Sequence, residues 1–276
     1  QLKKYEEKAA TSGVMNFKQS DRESFLINMM KVNYLKRLES SIESFEISLD
    51  RTIEKIESLE KKINDFRKSK KQSQPEDLFG YIPEENELEE DGDESEEWQV
   101  GKKLKFDLAD LDIDKWLVDL KKDKDALIGL LNSAKAVTPD RDAKLDELKK
   151  LIKGKINSPI NPNNKKVVVF TAFADTAEYI YKNLKDWYTK ELKLHCALVC
   201  GSYTQTTYGK NDYDSILVNF SPASKNRDKL NGAEKKDEID LIIATDCISE
   251  GQNLQDCDYL VNYDIHWNPV RIIQRF

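Results

Sequence analysis

Polar and small residues follow each predicted strand in the second half of the chain, and their types could do chemistry. They are Thr171-Ala172, Gly201-Ser202, Thr245-Asp246 and Asp264. The strands before them are continuous apolar runs, which is typical of parallel strands that are buried on both faces. Ligands of open parallel sheets bind beyond the carboxyl ends of the strands, so we expect these residues to converge on one edge of a sheet. Hydroxyl and backbone N–H groups at such an edge suit phosphate oxygens.

Each strand end is a weak signal alone, because a Thr after a strand is more often a helix cap than a ligand. Their order is more specific. Residues 240–255 read DLIIATDCISEGQNLQ, residues 259–264 read YLVNYD, and a turn at 266–269 reads HWNP. The alternation of strands and helices through this half predicts a parallel sheet with right-handed crossovers.

In this order the segments resemble the second motor lobe of superfamily 2 helicases, and within them the Snf2-like and RapA-like translocases. Residues 167–180 (VVVFTAFADTAEYI) look like helicase motif IV, and residues 244–255 (ATDCISEGQNLQ) look like motif V. Residues 263–269 are similar to the segment that leads to motif VI, which Gln274 would open. The resemblance covers about residues 138–276 well and about residues 20–70 loosely. It implies a RecA-like α/β lobe of the P-loop NTPase type.

The resemblance also implies roles for individual residues. Those facing nucleic acid would be Thr171, Ala172, Gly201, Ser202, Thr245, Asp246 and Trp267. Those near the nucleotide and the cleft between lobes would be Glu250, Gly251, Asn253 and Gln274. Two alternatives stay open, because Trp267 could pack against the lobe and Glu250 could form a salt bridge between lobes. No catalytic residue is expected, since the arginine fingers of motif VI would fall beyond Phe276, and Arg275 is expected at the surface or against backbone.

The same resemblance implies ATP and Mg²⁺ as cofactors of an intact, two-lobe protein. No GxxxxGK[ST] phosphate loop occurs in this sequence, so we expect neither to bind this chain alone, and we expect the chain alone to be inactive. The expected partners are a first lobe of the same protein and nucleic acid. Duplex DNA is the favoured substrate, because the Trp-Asn-Pro turn is Snf2-like.

A heptad pattern dominates the first part of the chain and predicts a helix over residues 34–70. Spacings of three and four separate Leu35, Leu38, Ile42, Phe45, Leu49, Thr52, Ile56, Leu59, Ile63 and Phe66. Such a helix packs against a partner. We favour another helix of the same chain, and self-association through residues 34–70 is the alternative. On that alternative the chain would be a helical interaction module.

Two further segments complete the predicted helical region. Residues 75–99 carry many acidic side chains and no Lys or Arg, which predicts a mobile loop, with an acidic lid over a basic groove as the alternative. Residues 106–155 predict further helices, the last starting with Thr138 as N-cap and ending at Gly154. The loop at 157–164 then divides a helical region, 1–160, from the RecA-like lobe, 161–276, which would end within motif VI.

Other features narrow the class of protein. The four cysteines form no CxxC pair and no cluster with histidine, so no metal site is expected. No long apolar run or signal peptide occurs, and we expect a cytoplasmic protein without membrane contact. Asp175 and Glu178 have the spacing of a helix-capping box. His195, within a strand, is interpreted as a packed or edge residue rather than a catalytic base.

Overall fold

The computed structural model describes residues 19–69, 111–201, 203–229, 237–248, 252–265 and 268–275. The chain forms two compact units. One comprises Gln1–Leu38 and Phe45–Ala136, and the other comprises Glu39–Ser44 and Val137–Phe276. The second unit therefore contains six residues from the middle of the predicted heptad region. The division at residues 160 and 161 stays a prediction, and the acidic segment 75–99 lies outside the described residues.

The first unit is helical. Its helices are α1 (Gln19–Ser40), α2 (Ile42–Ser69) and α3 (Ile113–Lys135). Helices α2 and α3 run antiparallel, since ion pairs join Arg67 to Asp114, Glu60 to Lys124 and Asp50 to Lys135. Leu49, Ile53 and Leu131 form the buried core of the unit. The heptad pattern therefore finds a partner within the chain, as we favoured.

The structure has two helices where the heptad pattern predicted one. Helix α1 ends at Ser40 and α2 begins at Ile42. The Tyr34 hydroxyl is hydrogen-bonded to that of Thr52, 18 residues away, which a straight helix would place about 27 Å apart. The chain therefore bends sharply at Ser41, and two predicted core positions, Leu35 and Leu38, are 65% and 43% exposed. The pattern runs through the break because spacing alone does not reveal an interruption of one residue.

The second unit is a mixed α/β fold. Its elements are α4 (Ala143–Asn157), β1 (Val167–Phe170), α5 (Ala174–Lys190), β2 (His195–Val199), β3 (Thr204–Thr206), α6 (Tyr213–Phe220), β4 (Ile239–Ala244), β5 (Leu260–Asn262) and α7 (Pro269–Gln274). The strand order is β3-β2-β4-β1-β5. Strands β2, β4, β1 and β5 pair in parallel, and β3 pairs antiparallel with β2 at one edge. The predicted parallel sheet is confirmed, with one added antiparallel strand.

Two apolar layers cover the sheet, one on each face. Val167 and Val169 of β1 pack in a cluster with residues of α4 and α5. Val168 and Phe170, on the opposite face, pack with residues of α6. Because both faces are covered, the strand is apolar at every position, and this explains the unbroken run in the sequence.

Three predicted helix ends are wrong, and a competing side chain explains one of them. Thr138 caps only a short 3₁₀ turn, Pro139–Arg141, while Asp142 caps α4 by accepting from the Lys144 and Leu145 amides. Helix α4 passes Gly154 and ends at Asn157. Helix α5 begins at Ala174, one residue before the predicted capping box, and its N-cap Phe173 makes no side-chain cap bond. Among the described helices, none is long and apolar enough to cross a membrane.

Candidate nucleic-acid interface

The carboxyl ends of the parallel strands meet at one edge of the sheet, as predicted; we call it the carboxyl edge. Backbone hydrogen bonds continue the ladder past the strand ends. The Thr171 amide donates to Ala244, the Thr245 amide donates to Val199, and the Tyr263 amide donates to Phe170, at 3.0, 3.3 and 2.8 Å. The residues after β1, β4, β5 and β2 are therefore neighbours in space, although the bonded pair Phe170 and Tyr263 is 93 positions apart in the chain.

Asp264 is the centre of this edge. Its Oδ1 accepts the Ala172 amide at 2.7 Å, and its Oδ2 accepts the hydroxyls of Thr171 and Ser40, each at 2.6 Å. The carboxylate is only 6% exposed. Three short bonds from neutral donors stabilise this buried charge, since hydrogen bonds to an ionised group are roughly twice as strong as neutral ones.

Two more buried hydroxyls extend this cluster, and no motif in the sequence predicted them. Thr176 Oγ1 lies 2.7 Å from Ser40 Oγ and 2.9 Å from Ser41 Oγ. Thr176 sits in the first turn of α5, inside the box that was predicted to cap that helix. Ser40 and Ser41 fall between core positions of the heptad pattern, where serine reads as a solvated residue. The only available signal was a pair of adjacent serines, which favour helix caps over helix interiors.

Asp246 and Arg275 form the second cluster at the carboxyl edge. Arg275 Nε donates to Asp246 Oδ1 at 2.6 Å, and its Nη1 donates to Asn262 Oδ1 at 2.8 Å. The guanidinium also lies 5.1 Å from the centre of the Phe170 ring. The Arg275 side chain is fully buried, so it is not at the surface, which was one of the two positions expected for it, and its bonds to Asp246 and Asn262 are to side chains. Its fork instead joins the segment after β4 to β5 and to the end of α7.

The threonines that were predicted to face nucleic acid point inward. Thr171 is 0% exposed and Thr245 is 1% exposed. The Thr245 hydroxyl donates to Cys247 Sγ at 3.4 Å. In contrast, Gly201 is exposed, and Ala172 and Asp246 are partly exposed. A direct contact of either threonine hydroxyl with nucleic acid stays a prediction, and in this structure both hydroxyls bond to other protein groups.

The residues predicted near a nucleotide are only partly described. Asn253 and Gln274 are exposed, and the Asn253 side chain accepts the Gln255 amide at 3.2 Å. Glu250 and Gly251 lie outside the described residues, as do Ser202 and Trp267 from the nucleic-acid set. Two exposed carboxamides can offer hydrogen bonds to a nucleotide, but the chain has no phosphate loop to hold its phosphates. Among the described residues, no group of three or more His, Cys, Asp or Glu is placed to hold a metal ion.

Buried titratable groups near the sheet are kept neutral and unreactive. Burial raises the pKa of Cys196 to about 12, although Thr207 and Lys185 oppose the shift, and burial also raises the pKa of Cys257. These thiols therefore stay protonated at neutral pH and are poor nucleophiles. Burial, together with Asp142, Tyr179 and Asp264, raises the pKa of Tyr263 far above its ordinary value.

His195 belongs to the other end of the sheet. It opens β2, and its ring lies 4.8 Å from the ring of Tyr208. Its Nε2 is 3.7 Å from a carboxylate oxygen of Asp237. This position agrees with the interpretation of His195 as a packed edge residue.

The mixed α/β fold with its polar carboxyl edge is consistent with a RecA-like lobe, and comparisons with known proteins show what part of the chain is similar to. Residues 143–276 match the model of the helicase conserved C-terminal domain. That match begins where α4 begins and contains every strand of the sheet. A curated relative is the protein described as uncharacterized ATP-dependent helicase YqhH of Bacillus subtilis (strain 168). It is 28% identical over 110 residues, which are 40% of this chain and 15% of the relative. Residues 143–276 are therefore similar to the C-terminal domain of helicases.

Proposed function

We propose that this chain is the second motor lobe, with an attached helical region, of an ATP-dependent translocase of the Snf2-like or RapA-like group that moves along duplex DNA. The observation that carries the proposal is the coincidence of two boundaries. The helicase C-terminal match covers residues 143–276, and the same residues build the sheet whose carboxyl edge carries the predicted motifs. The proposal makes the intact protein an enzyme that hydrolyses ATP.

In this proposal the lobe works with a first RecA-like lobe that brings the phosphate loop and the metal ligands. ATP with Mg²⁺ would bind between the lobes, and this chain would offer Asn253, Gln274, Glu250 and Gly251 to the shared cleft. Closing and opening of the lobes would then move the protein along the nucleic-acid backbone. A grip on phosphates is largely independent of base sequence, as a translocase needs.

The exposed groups at the carboxyl edge are the proposed contacts with nucleic acid. Gly201, Ala172 and Asp246 are accessible there, whereas Thr171 and Thr245 act from behind by fixing the backbone of their neighbours. Asp246 is held by Arg275, so its second carboxylate oxygen has a fixed direction. A polar group fixed in this way can contact a nucleic-acid strand through a bridging water.

The test measures ATP hydrolysis by the intact protein without nucleic acid and with duplex DNA, single-stranded DNA or duplex RNA, at one salt concentration. We expect duplex DNA to stimulate the rate most. Asp246→Asn should lower the stimulated rate about tenfold, since it weakens a charge-assisted bond at the edge. Asp214→Asn is the matched control, because Asp214 is exposed in α6.

The outcomes separate the parts of the proposal. Absence of stimulation by any nucleic acid would overturn the motor function. Stimulation by duplex RNA alone would overturn the choice of DNA. Equal rates for Asp246→Asn and Asp214→Asn would remove the carboxyl edge from the interface.

An interaction module is the second candidate, and exposed apolar residues on α1 favour it. Phe25, Ile27, Leu35 and Leu38 are 59%, 54%, 65% and 43% exposed. On this alternative the helix binds a second copy of the chain. Light scattering of the intact protein should then give a doubled mass, which falls when Leu35 and Leu38 are both replaced by Asp. A monomeric mass in both proteins would reject this candidate.

A further inference from the structure

The bend between α1 and α2 is attached to the α/β unit. We call residues 39–44 the break segment; they belong to that unit by their contacts. Lys144 Nζ donates to the backbone oxygens of Glu39 and Ser40 at 2.7 and 3.2 Å. These are carbonyls of the last turn of α1, where a cation is favourable. Ser41 Oγ accepts the Ser44 amide at 3.1 Å and so caps α2.

The hydroxyls of the break segment form a hydrogen-bond chain with one possible direction. A carboxylate only accepts, so Ser40 must give its single proton to Asp264. Ser40 Oγ must then accept from Thr176 in their 2.7 Å contact. Thr176 has no second proton, so Ser41 must donate to Thr176 in their 2.9 Å contact. Each hydroxyl proton along the chain is thereby used once.

The chain runs from the first turn of α2 to the carboxyl edge of the sheet. It begins at the Ser44 amide, passes through Ser41, Thr176 and Ser40, and ends on Asp264. All five residues are buried, with solvent exposures of 0 to 6%. Bonds in such a chain polarise one another, and a buried polar group that loses its partner is costly. The carboxylate is therefore sensitive to the position of two serines more than two hundred residues earlier.

We infer that Ser40 and Ser41 are positioning residues for the carboxyl edge, which they fix through Asp264. The inference deepens the proposed function and rests on it for the claim that this edge contacts nucleic acid. Asp264 orients the Ala172 amide directly. Asp264 also lies five residues before α7, and Arg275, which follows that helix, holds Asp246. The break in the heptad helix thus has a role in the site, and the break segment contributes residues that a sequence match beginning at residue 143 omits.

Amide hydrogen exchange of the intact protein tests the positioning without reference to activity. Ser40→Ala should speed exchange of the Ala172 amide about tenfold, since Asp264 loses one of its three donors. Thr176→Val should have a smaller effect, because Ser40 keeps its proton for Asp264. Thr176→Ser keeps the hydroxyl and should exchange like wild type. Ser221→Ala is the control, since Ser221 is buried and its hydroxyl has no hydrogen-bond partner among the described residues.

The second measurement is the ratio of nucleic-acid-stimulated to unstimulated ATP hydrolysis, which cancels any loss of folded protein. A positioning role predicts that Ser40→Ala lowers this ratio about tenfold, Thr176→Val lowers it less, and Thr176→Ser restores it. A role in stability alone would lower both rates together and leave the ratio unchanged.

Each result decides something. Ala172 exchange in Ser40→Ala that equals the Ser221→Ala control would overturn the inference, and an effect of Thr176→Val larger than that of Ser40→Ala would overturn the direction of the chain. An unchanged ratio in Ser40→Ala, with wild type stimulated, would also overturn the inference. A wild type that nucleic acid does not stimulate would overturn the proposed function instead, and the exchange measurement would still decide whether Ser40 holds Asp264.

Discussion

The two ends of the parallel sheet satisfy their buried charges in different ways. At the amino ends, cations meet carboxylates in Lys155–Asp258 at 2.5 Å and Lys166–Glu238 at 2.6 Å. The carboxyl ends also hold one ion pair, Arg275–Asp246, but there neutral hydroxyl and amide donors surround a further carboxylate, that of Asp264. An ion pair needs only its two partners in place. A carboxylate held by several neutral donors depends on the exact position of every element that supplies a donor. We therefore expect the amino ends to contribute mainly to stability and the carboxyl ends to contact nucleic acid, since open sheets bind ligands beyond the carboxyl ends of their strands.

Lys155→Met should have the largest effect on stability. The Lys155 side chain is fully buried, and Asp258 is 14% exposed. Removing the cation leaves a largely buried carboxylate, at a cost of about 3 kcal/mol in the free energy of unfolding. Urea denaturation measures this loss. Lys150→Met is the matched control on the same helix, since its pair with Glu147 is exposed and should contribute less than about 0.5 kcal/mol. A lowered nucleic-acid stimulation ratio in Lys155→Met would contradict the division between the two ends.

Asp264→Asn should lower both stability and the stimulation ratio. The new NH₂ group would face a donor, either the Ala172 amide or the hydroxyls of Ser40 and Thr171. We expect a loss of about 2 kcal/mol in the free energy of unfolding, because one buried donor is left unsatisfied. Urea denaturation and the ATPase ratio are measured on the same preparation. A loss of stability with a normal stimulation ratio of ATP hydrolysis would show that Asp264, like Lys155, contributes to stability alone.

Arg275→Lys should have a smaller effect at the carboxyl edge. One ammonium cannot reproduce the two directed bonds to Asp246 and Asn262, so we expect a loss of about 1–2 kcal/mol in the free energy of unfolding. Arg67→Lys is the control, because the Arg67–Asp114 pair is exposed. Thermal unfolding of both variants measures the difference. Equal midpoints would show that the buried fork of Arg275 adds nothing beyond its charge.

The smallest expected effect is a difference in pH dependence between two carboxyls near the amino ends. Burial opposes ionisation of Asp258, but hydrogen bonds from Lys155 and Asn161 outweigh it and lower its pKa. Burial raises the pKa of Asp240, and Lys166 only partly offsets this. Asp258 therefore stabilises the fold at neutral pH and loses this contribution as the pH falls through its lowered pKa. Asp240 has the opposite sign, since its contribution exists at low pH and is lost as the pH rises through its raised pKa.

Substitution by Asn separates these two contributions. Asp258→Asn should destabilise the protein at pH 7, with a difference from wild type that shrinks on acidification. Asp240→Asn should stabilise the protein at pH 7, and this gain should also shrink on acidification. Urea denaturation at a series of pH values between neutral and acid measures both. A destabilised Asp240→Asn at pH 7 would show that its interaction with Lys166 outweighs burial.

The sheet and its carboxyl edge could be predicted because both depend on local runs of residues. Four apolar strands and the polar residue after each are visible in the sequence, and parallel pairing brings them together without further information. The partners of those residues could not be predicted in this way. Ser40 meets Asp264 across 224 positions, and Arg275 meets Asp246 across 29. Such pairs depend on tertiary packing, and no local sequence pattern around these residues predicts the contacts.

The predictions of helix ends were wrong for a related reason. Thr138 followed by Pro139 is a good signal for the start of a helix. Asp142 caps α4 instead, because its carboxylate accepts two α4 amides and also the Tyr179 hydroxyl. The Tyr179 bond is a tertiary contact that the local sequence does not show. The same competition explains the break at Ser41, where bonds to Thr176 and Asp264 outweigh a continuous heptad.

The membership of residues 39–44 in the α/β unit has a practical consequence for dissecting the protein. A truncated protein that starts at residue 137 or 143 would keep the whole sheet but expose Thr176 and Asp264 without their serine partners, and Lys144 would face no helix end. Such a piece would lack buried hydrogen-bond partners that belong to the α/β unit. Adding back a peptide that spans residues 39–44 would complement it in trans.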